Sequence, residues 1–291
     1  MQPHVQAFFD RATSTASYLV SDPETKAAAI VDPVLDFEPK AARLSTASAD
    51  AILQAVEAQG LRLLYVLETH AHADHLSAAD YIRNRTGAKI AIGAHIVEVQ
   101  KAFIPVFEAD DVKADGRAFD HLLNEGDELP LGRQAIRVLH TPGHTPADVT
   151  YLIGDAAFVG DTLFMPDYGT ARADFPGGDA HALYRSIRKL LDLPPETRMF
   201  VGHDYLPAGR GEFRWETTVA KQRAGNVHAH DGVTEEEFVA IRQARDATLA
   251  APTLILPSLQ VNIRGGALPQ PSPSGRVFLK LPVSGPDQPG R

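Results

Sequence analysis

The chain has 291 residues, 44% of them hydrophobic and 22% charged, with 28 Lys and Arg against 37 Asp and Glu for a formal charge of −9. This is the composition of a globular protein long enough to bury a sizeable core, and it excludes collagen-like, coiled-coil and wholly disordered chains. The acidic balance, without a basic stripe, excludes the usual nucleic-acid binder, and the complete lack of cysteine excludes disulfides, thiolate metal ligands and cysteine nucleophiles.

Taken in chain order, the opening segment reads as two short strands around the turn at Ser21-Asp22-Pro23, the second being Ala27 to Val31. Its first residues, MQPHVQAFFDR, lack the basic and apolar regions of a secretory signal, which with the lack of any long apolar run sets a cytoplasmic expectation. Pro33 to Ala47 has no clear periodicity and reads as a loop. Ser48 is placed to cap a helix bearing Ile52, Leu53 and Val56 on one face, with Gly60 stopping it. Leu63 to Leu67 reads as a buried strand. A helix near Ser77 to Arg85, a strand at Lys89 to Ile92 and a helix from Val97 to Phe107 follow. Strands are predicted at Ile136 to Leu139, Val149 to Ile153 and Ala157 to Val159, then a helix over Ala182 to Leu191 and a strand at Met199 to Val201. Helices are predicted over Trp215 to Asn226 and Thr234 to Leu249. The chain beyond Arg264 is rich in Pro, Gly and Ser and reads as a tail.

Directly after the strand Leu63 to Leu67 stands Thr69-His70-Ala71-His72-Ala73-Asp74-His75. In an extended backbone His70 and His72 point the same way, and Asp74 and His75 fall in the following turn. Such a density of imidazole and carboxylate serves one metal ion or two neighbouring ones. Three more positions share this placement: His144 in the turn Thr141-Pro142-Gly143-His144-Thr145, Asp161 after Phe158-Val159-Gly160, and His203 after Val201-Gly202. A glycine beside each gives the tight turn that projects a side chain into a site. His95, His121, His140, His181, His228 and His230 lack partners at ligand spacing and read as surface or capping residues.

Together these motifs resemble the metallo-β-lactamase superfamily from His70 through His203. The resemblance implies an α/β fold, the four-layer αβ/βα sandwich with two mixed β-sheets packed face to face and helices outside. It implies one domain over 1–291, with a tail at 265–291. It also implies a metal site drawn from His70, His72, Asp74, His75, His144, Asp161 and His203, with Asp161 bridging in dinuclear members.

Within the superfamily, Gly160-Asp161-Thr162-Leu163-Phe164, the run from Tyr168 through Gly169-Thr170-Ala171-Arg172-Ala173-Asp174-Phe175 to Asp179, and Gly202-His203-Asp204-Tyr205 resemble the persulfide dioxygenases and their bacterial β-lactamase-like relatives. The similarity continues through Trp215 to Thr218 and Leu256 to Asn262. Glyoxalase II, a hydrolase of the same superfamily, typically carries Gly-His-Glu where Asp204 stands here. Relatives often carry cysteine at the position of Ala173, so no thiol assists there.

The dioxygenase resemblance implies an oxidoreductase of sulfide detoxification that converts glutathione persulfide and O2 to sulfite and glutathione. It implies one Fe(II) per chain, held by His72, His144 and Asp161, with three coordination positions left open. His70, Asp74, His75 and His203 would then orient ligands and waters. The alternative is a dinuclear zinc thioester hydrolase of the glyoxalase II type, with two Zn(II) and those four residues on the second metal. Arg172 is the expected clamp on a substrate carboxylate, with Asp174 as its alternative partner, and Tyr168 and Tyr205 flank the expected pocket. Neither nucleic acid nor membrane is an expected partner, and the reading is compatible with a homodimer.

Overall fold

The computed structural model describes residues 2–283. Its chain opens with β1 (His4–Asp10), β2 (Thr15–Ser21) and β3 (Ala27–Val31), an antiparallel meander. β3, Ala-Ala-Ala-Ile-Val, is buried at every position, which marks a strand covered on both faces. Ala28 and Ile30 pack toward Ile52, Ile82 and Val99, whereas Ala27, Ala29 and Val31 pack toward Leu129, Ile136, Tyr151 and Phe158. This alternation assigns the layers, with helices on one side of the strand and a second sheet on the other.

After β3 come β4 (Val34–Glu38), β5 (Arg43–Ser45), α1 (Ala47–Ala58), β6 (Arg62–Leu67), β7 (Leu76–Ser77), α2 (Ala79–Thr86), β8 (Lys89–Gly93), α3 (Ile96–Phe107) and β9 (His121–Leu123). The first sheet has the order β1-β2-β3-β6-β8-β9 and is parallel from β3 onward. β10 (Glu128–Leu131), β11 (Gln134–His140), β12 (Val149–Ile153), β13 (Ala156–Phe158), β14 (Arg198–Phe200) and β15 (Glu216–Thr218) form the second sheet in sequence order, with β13 and β14 parallel across α4 (Ala180–Leu191). α5 (Val219–Gly225), α6 (Glu235–Asp246) and α7 (Ile255–Asn262) complete the described helices. α4 and α6 cover the outer face of the second sheet, where Leu183, Ile187 and Phe238 pack on Leu139, Ala157 and Val159. The result is the four-layer sandwich implied by the sequence.

Four local expectations are corrected. Pro33 to Ala47 is not a loop: β4 pairs with β5 and with β7 in a small third sheet, held by the buried apolar pair Leu35 and Leu76. Ser48 does not cap α1, whose N-cap is Thr46; its amide and hydroxyl donate instead to Asp36, at 3.0 and 2.6 Å. Trp215 to Asn226 begins as strand β15, and only then does Thr218 cap α5 by accepting from the Lys221 amide. α7 lies in a segment for which no helix is expected from the sequence. Thr234 caps α6 in a reciprocal capping box with Glu237. The tail has no helix or strand from 268 to 283, and Gln260 holds it through both main-chain groups of Lys280. Residues 284–291 of the expected tail lie outside the described residues. Among the described residues no helix is long and apolar enough to cross a membrane.

Candidate metal centre

The parallel strands β13 and β14 end on the same edge of the second sheet, and the β11–β12 turn returns there. Asp161, His203 and His144 follow or lie in these three connections. The segment after β6 reaches the edge from the other sheet, tied by the Val149 amide to the Thr69 carbonyl at 2.9 Å. A second tie runs from the Ala16 amide to the Gly202 carbonyl, at 2.8 Å. Gly202 permits a close approach, since a Cβ there would stand 2.5 Å from Asp161 Oδ1. At Gly160, with φ of +50°, a Cβ would meet Thr69 Oγ1 at 2.6 Å.

Two groups of side chains converge at this edge. His70, His144 and Asp161 form one, and His72, Asp74, His75 and His203 the other; within each, the ligand atoms lie within 4.8 Å of one another. Asp161 faces both groups. Its Oδ2 is 4.0 Å from His70 Nε2 and 3.7 Å from His144 Nε2, while its Oδ1 is 3.4 Å from His203 Nε2. Asp74 Oδ2 lies 3.1 Å from His75 Nδ1 and 3.3 Å from His203 Nε2.

Neighbouring hydrogen bonds determine which nitrogen each imidazole offers. His144 donates from Nδ1 to the Arg172 carbonyl at 2.8 Å, and His203 from Nδ1 to the Ser14 carbonyl at 3.2 Å, so each turns Nε2 inward. Thr69 Oγ1 donates to Asp32 Oδ2 at 2.8 Å and so has a lone pair left for His70 Nδ1, 3.0 Å away. His72 is reversed: its Nε2 stands 3.0 Å from Asp32 and 3.4 Å from Glu68, which leaves Nδ1 facing the centre.

His70 Nε2, His72 Nδ1, His75 Nε2, His203 Nε2 and Asp161 Oδ1 are all buried without a hydrogen-bond partner. Buried polar atoms are normally paired; five orphaned donors of metal-ligand type at one edge fit a metal-binding centre with only nitrogen and oxygen ligands. The electrostatics differ from ring to ring. Burial, reinforced by the charges of His72 and His144, pushes His70 well below its ordinary pKa, toward the neutral form a metal requires. Burial also presses on His72, but the charge of Asp32 and hydrogen bonds to Asp32 and Glu68 outweigh it and hold His72 well above the usual range. Burial would raise Asp74, yet His203 and His75 keep it ionised well below the ordinary carboxylate value.

The seven expected ligands are therefore brought together, with one exchange of place. His70, not His72, joins His144 and Asp161. The two rings stand 4.0 Å apart, and the reason they part is outside the motif: Asp32 and Glu68 draw the His72 ring toward themselves. Asp32, Glu68 and Thr69 carry no sequence signal that spacing reveals. Asn262 is a further unanticipated member, donating from Nδ2 to the carbonyls of His72 and His75 at 2.7 and 2.8 Å and accepting from the Ser77 amide at 2.8 Å.

A cavity of about 520 Å³ opens over Asp74, His144 and Asp161. Tyr168 and Tyr205 line it as expected, their rings 5.2 Å apart, and Tyr205 stacks on His203 at 5.5 Å. Arg172 lines it too, but its guanidinium is engaged by Asp174 at 2.5 and 2.7 Å and by the Ala250 carbonyl at 2.8 Å. The alternative partner thus occupies the group expected to clamp substrate, and what Arg172 supplies to the centre is its carbonyl, under His144. Asp204 is buried in a bidentate pair with Arg210, which anchors the loop bearing His203 and Tyr205. Ala173 is buried, its amide donating to Asp246 at 2.9 Å. Of the remaining histidines, His95 and His140 stack on each other at 4.5 Å, and half-buried His228 accepts from the Thr170 amide at 3.2 Å.

Comparison with known proteins gives a consistent picture. The sequence pattern of the metallo-β-lactamase superfamily matches residues 10–203. A "Probable metallo-hydrolase" of Burkholderia pseudomallei is 54% identical, over 96% of this chain and 98% of its own. A beta-lactamase hydrolase-like protein of Xylella fastidiosa is also 54% identical over 97% of this chain, which spans 65% of that longer protein. The human mitochondrial persulfide dioxygenase ETHE1 is 31% identical over 69% of this chain and 68% of its own. The crystal structure of ETHE1 from Myxococcus xanthus superposes with a TM-score of 0.72 at 32% identity, covering 91% of this chain and 100% of that one.

Proposed function

The chain belongs to the metallo-β-lactamase superfamily, and from that premise we propose that it is an iron(II)-dependent persulfide dioxygenase acting on glutathione persulfide. The observation that carries this reading is the set His70, His144 and Asp161, two imidazoles and one carboxylate beneath an open cavity. These three residues would hold a ferrous ion, which would supply the activation of dioxygen and of a persulfide sulfur. The motif around Arg172 and the likeness to human persulfide dioxygenase support the same reading. Overall, glutathione persulfide, dioxygen and water become glutathione, sulfite and two protons.

The residues have separable tasks. His70 and His144 turn Nε2 toward Asp161, their Nδ1 atoms being engaged by Thr69 and by the Arg172 carbonyl. Asp161 supplies the anionic oxygen. His203, fixed by its Nδ1 bond to the Ser14 carbonyl, sets Nε2 3.3 Å from Asp74 and 3.4 Å from Asp161 and so keeps Asp161 aimed; burial lowers its pKa, but the charges of these two carboxylates outweigh it. Tyr168, Tyr205 and Phe164 exclude water from one wall of the cavity.

A second reading has its own observation. Asp161 directs one oxygen at each group, the arrangement a dinuclear hydrolase uses, and the Burkholderia relative is named a metallo-hydrolase. One experiment separates the two. Metal content is measured on the purified protein, then oxygen uptake with glutathione persulfide and hydrolysis of a glutathione thioester. About one iron per chain with oxygen uptake supports the dioxygenase; two zinc ions with thioester cleavage and no oxygen uptake overturns it.

A further inference from the structure

Three arginines line the cavity above the metal centre: Arg172, Arg242 and Arg245. Two are already committed. Arg172 is held by Asp174 and the Ala250 carbonyl, and buried Arg242 by Asp246 at 2.9 and 2.7 Å and by the Thr170 carbonyl at 3.0 Å. These bonds fasten α6 to the Thr170–Asp174 segment and so set its last turn beside the cavity. Arg245, one turn after Ile241 on that helix, is exposed, and among the described residues no carboxylate or carbonyl accepts from its guanidinium. Its guanidinium lies over the Tyr168 ring, with Cζ 5.8 Å from the centroid. Tyr168 packs on Tyr205, and Tyr205 on the metal-centre residue His203.

We propose that Arg245 is the anion anchor of the cavity, taking a carboxylate of a small thiol-derived ligand whose sulfur reaches the metal centre. This deepens the reading of the site as a glutathione persulfide site and rests on it. A guanidinium has paired donors in the geometry a carboxylate accepts, and Tyr168 holds its plane without consuming those donors. On a chain of charge −9, with Asp74 and Asp161 at the cavity floor, an anionic ligand requires one uncommitted cation, and Arg245 is the lining arginine that has its donors free.

The test uses the iron-loaded full chain and two probes that share a thiol, glutathione and glutathione diethyl ester, titrated calorimetrically. Arg245→Ala is expected to weaken glutathione binding about tenfold, Arg245→Lys to recover part of that loss, and neither to change binding of the diester. Equal glutathione affinity in wild type and Arg245→Ala overturns the proposal. So does an equal loss for both probes, which would make Arg245 structural, and so does an absence of glutathione binding to the wild type. Oxygen uptake with glutathione persulfide is measured on the same samples. Arg245-dependent binding without oxygen uptake would refute the dioxygenase reaction while leaving the anchor standing.

Discussion

Asp32 illustrates what decides a site at the scale of single residues. It lies in the left-handed region with φ of +47°, is almost wholly buried, and binds the Thr69 amide, the Thr69 hydroxyl and the His72 ring. It therefore orients both leading histidines, one through a relay and one directly. Asparagine tolerates the same backbone conformation, so Asp32→Asn removes the charge without straining the turn. Metal affinity is expected to fall about 10–100-fold, the usual cost of losing such an outer carboxylate, as read by competition with a chelator. That these histidines and carboxylates would gather at one edge was legible from spacing, because imidazole and carboxylate at the end of a buried strand have little packing role. Which nitrogen each ring offers was not, since that depends on Asp32 and Ser14, both remote in sequence from the rings they turn, and on Glu68, which is near His72 but outside the motif. Arg172 went astray for a related reason: a guanidinium two residues from Asp174 satisfies itself locally before it can serve a ligand.

Among the elements, the parallel pair β13 and β14 matters most, because its shared edge brings Asp161 and His203 together. The approach is close enough that Gly202 has no room for a side chain on its Asp161 side. Gly202→Ala is expected to leave a folded protein with the Asp161 carboxylate displaced and iron occupancy reduced several-fold, measured by metal analysis beside circular dichroism; unchanged occupancy would show that the loop gives way instead. Apolar strands such as β3 and the helix expected over Thr234 to Leu249 were readable from pattern. The hairpin of β4 and β5 was not, because its strands are five and three residues long and half polar, so pairing with β7 rather than pattern makes them strands. β15 likewise takes its form from β14 beside it.

For the molecule as a whole, charge and burial combine in the response to acid. His228 is depressed from 6.5 to about 4 by burial and then by the charges of Arg242 and Arg245. Between those two values the unfolded chain binds more protons at this site than the folded one, so the stability it contributes is present above pH 6.5 and is lost as the pH falls toward 4. The full shift corresponds to ~3 kcal/mol, and solvent around this half-buried ring reduces it to roughly half. His228→Gln is accordingly expected to flatten the fall in urea midpoint between these pH values, and an unchanged slope would place the proton elsewhere. The α/β class was legible from the alternation of strands and helices, and the four-layer sandwich from the resemblance carried by the histidine motifs; the covering of the site by α6 and α7 was not, because neither helix carries a ligand.

Asn262 adds a consequence in time. Its side chain joins α7 to the carbonyls of His72 and His75, at the opposite end of the chain from the first sheet. A ribosome delivers the histidines long before it delivers that asparagine. The leading histidine loop consequently lacks this brace until Asn262 has been made and α7 has docked.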